Sequence, residues 1–166
     1  MPLQSIPTLT TERLLLRAPL VDDFPGFARL LASPRAHYLG GPYTQRVAWG
    51  AFCHDIACWD LFGHGGLMVD LRTGETVGQV RINGGPLFPE KELGWQLYEG
   101  QEGRGYATEA AMALRNWATR ALRLDGLVSY VHPANLASAA VAERLGAILD
   151  PNALKPNPDV LVYRHL

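Results

Sequence analysis

The sequence predicts one mixed α/β domain spanning residues 1–166, with a mostly antiparallel central sheet of about seven strands flanked by four helices. Three observations predict it. Apolar residues recur at helical spacing in four segments. They alternate with period two through the middle of the chain. Glycine and proline clusters mark the joins between these stretches. The element order read from them is β-α-α-β-β-β-α-β-α-β-β, and helices covering a sheet is the arrangement such an order favours.

Thr11 to Ala18 opens with the run Leu14-Leu15-Leu16 and reads as a first strand. Asp22 is placed to cap a short helix carrying Phe24, Phe27, Leu30 and Leu31. Pro34 and then Gly40-Gly41-Pro42 mark a loop. Thr44 caps a second helix with Val47, Ala48, Ala51, Phe52 and Ile56 turned inward, ending near Gly63. The period then changes. Gly66 to Leu71 and Thr76 to Asn83 are two strands joined by a turn over Arg72 to Glu75. After a break at Gly84-Gly85-Pro86 and Pro89, Lys91 to Tyr98 alternates cleanly, with Leu93, Trp95 and Leu97 on one face and Glu92, Gly94, Gln96 and Tyr98 on the other. A glycine-rich turn, Gly100 to Gly105, leads into a helix over Thr108 to Leu122 with Met112, Leu114, Trp117, Ala121 and Leu122 for burial. Gly126 to Val131 is a strand, Asn135 to Leu145 a helix, and Gly146 sits where a C-terminal cap belongs. Short strands at Ala147 to Leu149 and Val160 to Arg164 close the chain.

Bulk properties exclude several classes of function. Hydrophobic residues make up 48 %, enough for a packed core. A net charge of −1 with dispersed Lys and Arg argues against nucleic acid as a partner. No apolar run approaches the roughly 20 residues that span a bilayer. Met1 to Leu9 lacks a basic stretch followed by an apolar one, so no signal peptide is expected and a cytoplasmic location is. Cys53, Cys58 and His54 have neither zinc nor redox spacing, and no metal is expected. The other histidines form no ligand constellation. Trp49, Phe52, Trp59 and Phe62 read as core or interface residues, with acceptor-pocket lining as the alternative.

Chemistry concentrates between Tyr98 and Ala110. A strand, a glycine turn and a helix together make an anion site, because the helix start leaves N–H groups unpaired and its dipole adds positive potential. Glu102-Gly103-Arg104-Gly105-Tyr106-Ala107 occupies that position. No Gly-Lys-Ser/Thr follows, so it is not a Walker loop, and the preceding meander argues against a dinucleotide fingerprint. A tight turn with no ligand remains the plain alternative.

The wider pattern resembles the GCN5-related N-acetyltransferases (GNAT), in particular the branch that includes the ribosomal-protein N-terminal acetyltransferases. Four segments carry the resemblance in order: Thr11 to Arg17, Glu92 to Trp95, Gly103 to Ala110, and His132 to Ala147 with Asn135, Ser138 and Glu143-Arg144-Leu145-Gly146. The resemblance implies the family's fold and acetyl-CoA as co-substrate. It puts the coenzyme A pyrophosphate on the backbone of Glu102, Gly103, Arg104, Gly105, Tyr106 and Ala107, with Thr108 opening the helix behind. It puts the pantetheine arm beside Leu97 and Tyr98, with a backbone N–H there polarising the thioester. Asn135 matches a pantetheine-bonding residue and is also placed to cap its helix. Ser138 matches a hydroxyl that serves the leaving thiolate; bonding its own helix backbone is the alternative. The family's wider motif has Gln or Arg where Glu102 stands, so Glu102 is expected to face solvent with Arg104 offsetting it. The tyrosine acid of many relatives is matched by Ala142, which leaves the proton donor open. Glu92 is the candidate general base, with a plain strand-edge charge as the alternative. Lys155 to Asp159 matches a loop that shapes the acceptor site.

The expected reaction is acetyl transfer to a primary amine by direct attack, since no cysteine is placed to carry an acyl group. The acceptor class is a protein N-terminus or a small-molecule amine, for a monomer or homodimer. Two rivals stand beside it: a coenzyme A-binding module without activity, and an enzyme that uses the glycine turn for another phosphate.

Overall fold

The computed structural model describes residues 5–165; the first four residues, part of the stretch read for a signal peptide, lie outside them. The strands are β1 (Leu9–Thr10), β2 (Leu14–Arg17), β3 (Gly66–Leu71), β4 (Thr76–Asn83), β5 (Glu92–Leu97), β6 (Val128–Val131), β7 (Ile148–Leu149) and β8 (Leu161–Arg164). The helices are α1 (Phe24–Ala32), α2 (Gln45–Phe62), α3 (Tyr106–Ala121) and α4 (Leu136–Arg144), with 3₁₀ turns at Val21–Asp23 and Pro34–Leu39. All eight strands join one sheet in the order β1-β2-β3-β4-β5-β6-β8-β7. Every neighbouring pair is antiparallel except β5 and β6.

The alternation of β4 and β5 sends two side-chain sets to two faces. Val80, Ile82 and Leu93 join Leu14, Leu16, Leu67 and Val69 under the Ala110, Ala111, Leu114 and Ala118 stripe of α3. Small residues on that helix let its backbone come close to the sheet. The opposite face is covered by α1 and α2, where Phe27, Leu31, Ala48 and Phe52 pack on Met68. A third, smaller core of Val131, Ala142, Ala147 and Tyr163 lies between α4 and the far end of the sheet.

Several expectations change. The sheet has eight strands rather than about seven, because Leu9–Thr10 folds back on Leu16 and Leu15. Asp22 does not cap α1. Asp23 takes that role in reverse: its carboxylate accepts from the Leu20 N–H (2.7 Å) and from Arg17 Nη1 and Nη2 (2.8 Å each). Arg17 also binds Asp70 Oδ2 at 2.6 Å, which ties β2, β3 and the entry to α1 together. Pro34 to Leu39 is a 3₁₀ turn rather than open loop, ended by Gly40 at φ 92°. Thr44 caps α2 through the Val47 N–H (3.3 Å), but the Val47 side chain faces solvent. Helix α3 starts two residues before Thr108, its Ala121 is exposed, and Met112 is 38 % exposed. Residues 66–71 and 76–83 are strands with the bounds read from sequence. Asn135 caps α4 through the Ser138 N–H (3.2 Å), and Gly146 follows at φ 79°.

Candidate active site

Strands β5 and β6 run side by side for one register position, Glu92 opposite Val128, with the Val128 N–H on the Lys91 carbonyl at 3.0 Å. Beyond that point they diverge. Alternate residues of a strand turn both backbone groups to one side, and Tyr98 N–H goes to Val77 O on β4 (2.8 Å). The odd-numbered residues Leu93, Trp95 and Leu97 therefore aim theirs at the gap. Ser129 Oγ occupies the Leu93 carbonyl (2.6 Å) and Arg35 Nη2 the Leu97 carbonyl (2.9 Å). Trp95 keeps both of its groups open to the gap.

The gap continues into a cleft of about 1100 Å³ walled by Trp95, Gln96, Leu97, Thr108, Asn135 and Ser138 among others. Tyr38 reaches across from the 3₁₀ turn to His132 at the end of β6, ring centroids 5.0 Å apart. At the other end stands the start of α3. Its first helical hydrogen bond is Glu109 N–H to Gly105 O (3.0 Å), so the amides ahead of it point out of the helix. Gly103 (φ 74°) and Gly105 (φ 80°) hold the left-handed conformation that brings the turn around. The Thr108 hydroxyl is buried beside these amides and has no protein partner. An orphaned hydroxyl in a ring of free N–H groups fits a diphosphate.

The loop is clamped from behind. Glu109 accepts from Thr11 Oγ1 (2.6 Å), Arg13 N–H (3.0 Å) and Arg13 Nε (2.7 Å). Burial raises the carboxyl's pKa, but these bonds outweigh it and hold Glu109 below the usual carboxylate range. Arg13 Nη1 also donates to the Arg104 carbonyl (2.8 Å), and its guanidinium lies 5.0 Å over the Tyr106 ring.

The family model described as an acetyltransferase (GNAT) domain matches residues 13–148. The chain belongs to the GNAT acetyltransferase family. This GNAT domain is 61 % identical to an acetyltransferase from Agrobacterium tumefaciens str. C58, whose crystal structure superposes with TM-score 0.95 over 98 % of this chain and 95 % of that one. RimL, a ribosomal L7/L12 α-N-protein acetyltransferase crystallised with coenzyme A, shares the fold at TM-score 0.78 and 21 % identity, over 96 % of this chain and 98 % of that one. The YkkB protein of Bacillus subtilis (strain 168) is 31 % identical over 96 residues, 57 % of this chain. That match spans 56 % of the YkkB length. The GNAT domain is an acetyl-CoA-dependent N-acetyltransferase domain, and the cleft between β5 and β6 is the candidate site for its coenzyme. Among the described residues there is no cluster of three or more metal-ligating side chains, and no helix long and apolar enough to cross a membrane.

Glu102, Gly103, Gly105, Tyr106, Ala107 and Thr108 wall the cleft together, as do Leu97, Asn135 and Ser138. Asn135 Oδ1 is committed to the Ser138 N–H, which leaves its amide nitrogen for a ligand. Ser138 lines the cleft with its N–H held by Asn135 Oδ1. Arg104 contributes its backbone only; its side chain sits 3.5 Å from Gln101 Oε1. Glu102 is exposed, as expected, but the cation beside it is Arg35, which arrives from the 3₁₀ turn, rather than Arg104. Tyr98 leaves the site. Its N–H and carbonyl are taken by Val77 O and Gln101 N (3.1 Å), and its ring packs on the α1–α2 side. Burial there pushes the phenol up to about 12. Trp95 holds the position expected of Tyr98, since in a strand the parity of a residue decides which neighbour its backbone faces. Ala142 is fully buried in the small core under α4. Glu92 stands at the closed end of the gap, on the sheet face opposite α3, where it accepts from Asn83 Nδ2 (2.9 Å).

Sequence reasoning missed Trp95, Arg35 and the Glu109 clamp. The alternation of β5 carries the signal for Trp95. Arg35 has none, because nothing local links residue 35 to residue 102.

Proposed function

We propose that this domain transfers the acetyl group of acetyl-CoA to a primary amine, on a protein N-terminus or a small molecule, by direct attack of the amine on the thioester. The supporting observation is the gap between β5 and β6, open at Trp95 and leading straight to the bare amides and orphaned Thr108 hydroxyl of α3. The Trp95 N–H is the donor for the thioester carbonyl. Such a fixed donor lowers the barrier by about 3 kcal/mol because it is already oriented when charge develops. Glu92 takes a proton from the acceptor ammonium, directly or through water. The amine nitrogen bonds the acetyl carbon, the carbon–sulfur bond breaks, and the departing thiolate, bonded by the Ser138 hydroxyl, takes up the second nitrogen proton directly or through water to leave as the free thiol. Arg35 neutralises Glu102 beside the diphosphate, which weakens one of the two features favouring a module without activity; the other is Ala142 at the tyrosine position. The domain acts in the cytoplasm as a monomer or homodimer.

Thiol release from acetyl-CoA over a panel of amines tests this reading. Release with matching acetylated product, and no acetylated protein when the amine is omitted, is the expected result. Saturable coenzyme A binding with no release from any amine would replace it with the inactive module. Glu92→Gln should lower the rate at least ten-fold at neutral pH; an unchanged rate removes Glu92 from the mechanism.

A further inference from the structure

The sheet face opposite α3 is covered unevenly. Helix α2 packs on β3 and β4, so β5 and β6 lie beyond its cover. The face there is polar. Gln79, Arg81 and Asn83 of β4 stand opposite Gln96, Gly94 and Glu92 of β5 in register. Asp55 comes down on them from α2 and is 5 % exposed.

Arg81 is the unusual member. Among the described residues no carboxylate lies within ion-pair distance of it. With its amide carbonyl turned toward the guanidinium, Gln96 accepts from Arg81 Nη1 at 2.7 Å and Nη2 at 3.1 Å. A neutral amide thus orients the cation without cancelling its charge. The guanidinium lies over Gly94, where a Cβ would meet Arg81 Cζ and Nε at an ordinary contact distance of 3.5 Å. Asp55 feels the Arg81 charge, but burial is the larger influence and favours its neutral form. Gln79 beside it is 1 % exposed and lies against Asp55. Gln96 also walls the cleft, so the amide that holds the guanidinium is part of that wall. Glu92 lies two residues along β5 from Gly94, about 7 Å by strand rise.

A half-buried guanidinium with three unused donors, one strand step from a carboxylate, is complementary to a zwitterion. Building on the transferase reading above, we infer that the acceptor amine carries a carboxylate close to its amino group, as a free amino acid does, with Arg81 binding the carboxylate and Glu92 facing the amine. A protein N-terminus has no such carboxylate, because its α-carboxyl is in a peptide bond. The proposal therefore favours the small-molecule half of the acceptor class.

Matched acceptors separate the two. Free amino acids, their primary amides, the corresponding decarboxylated amines and a short peptide amide are compared by kcat/KM for thiol release. The free acids should exceed their amides at least ten-fold. Arg81→Gln should lower turnover of the acids ten-fold or more, leave the amides within two-fold, and leave the acetyl-CoA KM unchanged. Arg81→Lys should keep part of the preference, since the charge survives without the fork. Amides or the peptide matching the acids, or R81Q lowering all acceptors alike, would overturn the inference. Thiol release from none of them would end the transferase reading instead. The carboxylate site is then decided by calorimetry on the coenzyme A-loaded protein: N-acetylglycine binding in wild type, lost in R81Q and absent for N-acetylglycinamide, supports it, and any other pattern overturns it.

Discussion

His165 Nε2 lies 2.8 Å from Ser129 Oγ, and Ser129 in turn donates to the Leu93 carbonyl at 2.6 Å. Ser129 has one hydroxyl proton and gives it to Leu93. The imidazole must therefore donate from Nε2, while Nδ1 faces Arg115 Nη1 at 3.4 Å. This relay runs from β8 through β6 to β5, beside the position where the sheet begins to open.

The relay predicts a pH dependence. Burial, with Arg115 adding to it, lowers the pKa of His165 to about 4. The unfolded histidine binds its proton near pH 6.5, so the unfolded state holds more protons between these values. The His165 contribution to stability should be flat above pH 6.5, fall by up to about 3 kcal/mol as pH drops toward 4, and level off below. His165→Gln should flatten that window. Urea denaturation at stepped pH measures both.

Thr108 separates stability from binding. Its buried hydroxyl has no protein partner, and leaving such a group unmade costs about 1–3 kcal/mol. Thr108→Val should hold or raise the melting temperature of the ligand-free protein and weaken acetyl-CoA binding about ten-fold. Scanning calorimetry and titration calorimetry read the two effects independently.

Arg35 and Glu102 form a pair across the cleft wall. Arg35→Ala leaves a carboxylate facing the diphosphate and should raise the coenzyme A dissociation constant about five- to ten-fold, of the order expected for losing one partly screened charge. Adding Glu102→Gln should recover most of the loss. A double variant no better than the single one would show that Arg35 does not act through Glu102.

Glu109→Gln tests the clamp between β2 and α3. Hydrogen bonds to a charged acceptor contribute about 1.5–3 kcal/mol each when sheltered, and partial exposure here reduces the loss to about 1–2 kcal/mol. The folded pKa is depressed. The advantage of wild type should therefore be full above the unfolded carboxylate pKa near 4.3 and vanish as pH falls through the lower folded value. Denaturation curves for both proteins between pH 7 and pH 3 decide it.

Much of the fold was legible because its signals are local. β5 alternates cleanly, β3 and β4 are bounded by a short turn over Arg72 to Glu75, and Thr44, Asn135 and Gly146 are end signals that act within three residues of themselves. Asp22 misled because a 3₁₀ turn intervenes and Asp23 answers to Arg17, a partner on a strand. Met112 followed helical spacing but landed on the side of α3 that faces the cleft. For the site, the glycine turn and Asn135 were readable from type and spacing. Arg35 against Glu102 and Arg81 against Gln96 were not, since each joins elements whose approach is set by packing of the whole sheet. Tyr98 fell to the parity of one strand.

The opening between β5 and β6 has a bearing on self-association. Unspent backbone groups on a sheet are ordinarily a hazard, because a strand from another molecule can add to them. Here they lie in the middle of the sheet, with paired strands on both flanks and Tyr38 stacked across toward His132. A foreign strand has no side-on route in, whereas a slender, flexible arm does. The polypeptide thus keeps an open seam that a slim visitor can enter and a strand cannot.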